Sequence, residues 1–85
     1  MKRCALDRLI DAGYDDVVVL DGYDDALIGV SHDNQAIYSL RKMIRILIKR
    51  DGMTREEAYE CIEYNTIRAL PYFGDGAPII MFDVE

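Results

Sequence analysis

Ser39-Leu40-Arg41-Lys42-Met43-Ile44-Arg45-Ile46-Leu47-Ile48-Lys49-Arg50-Asp51-Gly52-Met53-Thr54-Arg55-Glu56-Glu57 is the stretch that decides the fold. Leu40, Met43, Ile44, Leu47 and Ile48 recur at the spacing of one apolar helix face. Ser39 stands where a side-chain oxygen caps the first turn, and Gly52 stands where the helix must stop. Thr54 to Glu57 then spells a capping box, in which hydroxyl and carboxylate each satisfy a free backbone amide. The helix it starts runs through Ala58, Cys61 and Ile62 toward Ala69, and Pro71 forbids continuation. Two helices in direct succession are therefore expected, with β segments on both sides.

Working outward, Ala5, Leu6, Leu9 and Ile10 form a helical stripe between Lys2 and Ala12, with Arg3, Asp7, Arg8 and Asp11 largely on the other side. Gly13 supplies its C-terminal stop. Val17 to Leu20 is short and β-branched, which predicts a strand, and Asp21-Gly22 turns it into a second strand over Ala26 to Ser31. Ser31 to Asn34 is turn chemistry, and Ala36 to Tyr38 closes a hairpin as a third strand. After a loop at Phe73 to Gly76, Ile79 to Phe82 reads as the final strand, with Pro78 at its entrance. The expectation is an α+β fold in one small domain spanning 1–85. It has a three- to four-stranded, mostly antiparallel sheet with about three helices, in the order α-β-β-β-α-α-β.

The chain has 85 residues, of which 51% are hydrophobic, enough for a packed interior but near the lower size limit for a self-sufficient core. A second copy or a permanent partner is therefore one way to gain stability. Apolar runs such as Val17–Leu20 and Pro78–Phe82 are too short to span a membrane, and Asp7, Arg8 and Asp11 interrupt any signal-peptide core. The chain reads as cytoplasmic, with Cys4 and Cys61 as reduced, packed thiols outside any CxxC pair.

Charge is segregated. Every charged side chain between Asn34 and Arg50 is basic, giving +5 over 35–50, against −5 over 1–34 and −6 over 51–85. The formal net charge is −6, which argues against direct binding of nucleic acid and favours a basic partner. Arg41, Arg45 and Lys49 form one ridge of the first central helix, with Ile46 as an apolar residue among cations. Glu56, Glu60 and Glu63, with Glu57 beside them, form an acidic column on the next helix, which is also expected to meet a basic partner. If the two helices fold as a hairpin, ridge and column are expected to pair and cancel, at about 0–1 kcal/mol for each exposed pair.

Asp15, Asp16, Asp21, Asp24 and Asp25 bracket the first expected strand without a nearby base. They lack the ligand cadence of a calcium loop and are read as turn residues or as a carboxylate patch for a basic partner, with Tyr14 and Tyr23 as aromatic anchors. No P-loop, dinucleotide fingerprint, HExxH or GxSxG is present, and His32 sits in a turn beside Asp33. No catalytic residue, metal or cofactor is expected. The polar-aromatic run Glu63 to Tyr72 reads either as helix-end capping chemistry, with Arg68 compensating the helix C-terminus, or as a recognition surface.

The order Tyr23 to Val30, Ala36 to Tyr38, Gly52 to Thr54, Glu56 to Ala58, Glu63 to Tyr72 and Ala77 to Ile80 resembles a group of small acidic proteins. These are encoded in bacterial genomes, phages and mobile elements. The resemblance covers most of the chain and implies no catalytic residues. Small acidic proteins of this provenance include anti-CRISPR proteins, which occupy the nucleic-acid path of a nuclease complex. The resemblance thus implies an inhibitor acting in the bacterial cytoplasm on a CRISPR effector or another nucleic-acid-binding protein. The chain is expected to be a monomer or a homodimer, and from a different class comes the alternative of a homodimeric structural or regulatory module in which Arg41, Arg45, Ile46 and Lys49 of one copy meet Glu56, Glu60 and Glu63 of another.

Overall fold

In the computed structural model, which describes residues 5–14 and 16–84, the elements follow one another as expected with one exception. Helix α1 is Ala5–Asp11, strand β1 is Leu27–Val30 and strand β2 is Ala36–Ser39. Helix α2 is Leu40–Asp51, helix α3 is Arg55–Asn65 and strand β3 is Ile79–Met81. The sheet order is β1-β2-β3, with β1 antiparallel and β3 parallel to β2. The α+β class holds, and the sheet is three-stranded and mixed.

Local chemistry explains the boundaries. Ser39 Oγ accepts from the Lys42 amide, and Gly52 closes α2 in the left-handed region at φ 68°. The capping box forms in both directions, Thr54 N to Glu57 Oε1 at 2.9 Å and Glu57 N to Thr54 Oγ1 at 3.1 Å. At the end of α1, Gly13 takes φ 96° while the Tyr14 amide reaches back to Leu9 O at 2.8 Å, a Schellman-type stop. Helix α3 ends before Ala69: Asn65 is its last residue, and a kinked 3-10 segment, Ile67–Gly76, carries Pro71.

The exception is Val17 to Leu20, which forms no strand. Val17 and Leu20 are buried, but the Leu20 amide donates to the Tyr38 hydroxyl at 2.9 Å instead of joining a ladder. A short apolar run fits a core-lining coil as well as a strand; here a side chain satisfies the backbone donor that a strand neighbour would have taken. A 3-10 turn, Asp24–Ala26, follows and leads into β1.

Tyr38, Met43, Leu47 and Ile62 form the centre of the core, joined by Leu9, Val17, Leu20, Leu27, Leu40 and Ile44. Ile10 departs from its expected stripe and is 51% exposed. Asp83 ties the segment after β3 to the start of α2: its carboxylate accepts from Ser39 Oγ at 2.9 and 2.7 Å and from the Arg41 amide at 3.1 Å. The Arg41 amide, then the Ser39 hydroxyl, hold the Asp83 carboxyl below its ordinary range.

Candidate protein-binding site

Helix α3 presents most of the acidic column to one groove. Its capping box fixes where the helix begins, and its buried residues Ala58 and Ile62 turn the inner face to the core. Helical spacing then leaves Glu57, Glu60, Cys61, Glu63 and Tyr64 on a shared wall, which Arg68 of the 3-10 segment completes. The groove is open and about 550 Å³ in volume. The Arg68 guanidinium lies 5.0 Å from the centroid of the Tyr64 ring, within cation–π range. Asn65 Nδ2 donates to Cys61 Sγ at 3.4 Å, and the half-buried Cys61 packs against the core. A hydrogen bond to Glu63, and then its charge, raise the Tyr59 phenol above its ordinary value.

The expected cancellation between helices is not realised. Among the described residues no ion pair joins Arg41, Arg45 or Lys49 to Glu56, Glu60 or Glu63. The helices bury Leu40, Met43, Ile44 and Leu47 of α2 and Ala58 and Ile62 of α3, and the ridge and the column lie outside that buried set. The ridge itself divides. Arg41 is half-buried and shares a groove with Arg55, Phe82 and Asp83, while Arg45, Ile46 and Lys49 line another with Lys42 and Asp25. Ile46 is half-buried against the core.

Asp24 and Asp25 share a groove with Gly22, Ile46 and Arg50. Asp15 lies outside the described residues; Asp16 and Asp21 are exposed, and Asp24 is half-buried in the 3-10 turn. Two arginines hold this loop by its carbonyls. Arg8 donates to Asp24 O at 2.8 Å and Leu27 O at 3.0 Å, and Arg50 donates to Gly22 O at 3.0 Å while pairing with Asp51 at 3.3 Å. Neither role is legible in the sequence, because both contacts are made to backbone carbonyls far along the chain. Tyr23 is half-buried, and burial raises its phenol while a hydrogen bond with Thr66 works the other way. Tyr14 is 39% exposed and lines a separate groove with Leu9 and Leu27 to Val30. Cys4 lies outside the described residues. Among the described residues no group of three or more His, Cys, Asp or Glu side chains converges as a metal site, and no helix is long and apolar enough to cross a membrane.

No family model, curated protein or solved structure matches the chain.

Proposed function

We propose that the protein is a non-enzymatic binding module whose α3 groove engages a basic surface of a nucleic-acid-handling partner. The observation that carries this reading is the groove itself: the carboxylates of Glu57, Glu60 and Glu63 share one open wall with Tyr64 and Arg68. Carboxylates there meet lysine and arginine side chains, and a 68% exposed tyrosine supplies apolar contact of the type that anchors interfaces. The formal net charge of −6 favours encounter with a cationic groove and disfavours binding of nucleic acid itself. Together with the resemblance to small acidic proteins of phages and mobile elements, this supports an inhibitor that acts in the host cytoplasm by occupying a cationic nucleic-acid path, as a CRISPR effector provides.

The test is titration with an arginine-rich peptide, followed by capture of partners from a host lysate. The variant Glu57→Gln/Glu60→Gln/Glu63→Gln keeps a side chain competent for the capping box. It is expected to weaken peptide binding about tenfold, as is raising the salt to about 0.5 M. Binding that survives both changes overturns the reading. Equal weakening by Asp21→Asn/Asp24→Asn/Asp25→Asn would move the site to the loop instead.

A further inference from the structure

Lys42, Arg45 and Lys49 play no part in the reading above. With Asp25 they surround Ile46 in a groove of about 250 Å³, on a face of α2 that is cationic at its rim and apolar at Ile46. The α3 groove presents the converse, a wall of Glu57, Glu60 and Glu63 that outnumber its one cation, Arg68, which lies over the exposed ring of Tyr64. Within one chain, among the described residues, no ion pair joins the two faces, although α2 and α3 pack on each other. Complementary faces kept apart within one molecule are free to meet between two.

We infer that the cationic α2 groove of one copy docks against the acidic α3 face of a second copy of this chain. The inference borrows the α3 groove from the proposed function but assigns the α2 face independently. Such a contact either closes as a two-fold pair, with each α2 face on the other copy's α3, or propagates head to tail. Net charge opposes it only weakly at physiological ionic strength. There the screening length is about 8 Å, shorter than the molecule's smallest extent of 24 Å, so the facing side chains outweigh the distant surplus of acids. Association is therefore expected near 0.15 M salt and is expected to be lost near 1 M.

Sedimentation equilibrium of three proteins tests this: wild type, Lys42→Gln/Arg45→Gln/Lys49→Gln, and Glu57→Gln/Glu60→Gln/Glu63→Gln. Wild type is expected to associate, and each variant alone to associate at least tenfold more weakly. An equimolar mixture of the two variants should recover a pair, because each supplies the face the other lacks. Matching thermal melts establish that both variants are folded. Wild type that stays at monomer mass overturns the proposal, as does association undiminished in either variant or a mixture no stronger than its components. A monomer whose α2 cations instead bind a single-stranded oligonucleotide also overturns it. The lysine/arginine variant keeps the α3 groove and frees it of the second copy, so loss of self-association with peptide binding retained or strengthened separates this inference from the proposed function.

Discussion

Asp83 and Ser39 together cap α2, the hydroxyl taking the Lys42 amide and the carboxylate taking that of Arg41. Losing such a cap costs about 1 kcal/mol, so Asp83→Ala is expected to lower stability by about that amount in urea titration. The folded-state pKa of Asp83 is depressed. Its contribution is therefore present above the unfolded carboxyl value of about 3.9 and is lost as pH falls through the lower folded value. Wild type should show this acid limb, and Asp83→Ala should lack its share. At the opposite end of the pH scale stands Tyr38, buried, accepting from the Leu20 amide, and with a raised pKa due first to desolvation. Its stabilisation is present below the ordinary tyrosine value of about 10 and is lost as pH rises through the higher folded value. Tyr38→Phe leaves the Leu20 amide without its partner at an expected cost of about 1–3 kcal/mol, measurable in urea. Ser39 was legible as a cap because the helix it starts follows it immediately. Asp83 was not, because it lies 44 positions away and only the closed fold brings it near.

Among the elements, the helices were the most legible, because their caps and periodicity are local. The left-handed Gly52 would place an added Cβ in open space, so Gly52→Ala isolates backbone strain from packing. A loss of about 1 kcal/mol is expected; an unchanged melting temperature would show that the α2–α3 turn adapts without it. The strands were less legible, because strand identity depends on a neighbour. Val17 to Leu20 has the composition of a strand, yet its neighbour at Leu20 is a phenol. The β1–β2 hairpin was readable from Ser31 to Asn34, where Asn34 takes φ 64°. The one-residue register slip between Leu27 and Gly29 had no local signal beyond the glycine.

Across the whole molecule, the segregation of charge was legible and its disposition was not. Sequence spacing puts the ridge on α2 and the column on α3, but whether they meet depends on which sides the helices bury. That gives a bulk prediction. With no ion pair between ridge and column among the described residues and a net charge of −6, added salt screens repulsion more than attraction. The melting temperature of dilute protein is expected to rise from about 0.02 to 0.2 M sodium chloride, across which the screening length shortens to below about 10 Å. Internal pairing would make it fall. The parallel placement of β3 beside β2 has a different consequence, for how the molecule is made. A nascent chain emerges from its N-terminal end, yet one edge of β2 and part of the cap of α2 are supplied by residues 79–83. Until those residues leave the ribosome, β2 has an open edge and α2 an incomplete first turn. The helical hairpin can gather early on its apolar face, but the sheet is finished only when Ile79 to Asp83 arrive. A ribosome-bound chain that ends before Ile79 should therefore be cut readily by proteases, and one in which an appended C-terminal linker carries Asp83 clear of the ribosome should be resistant.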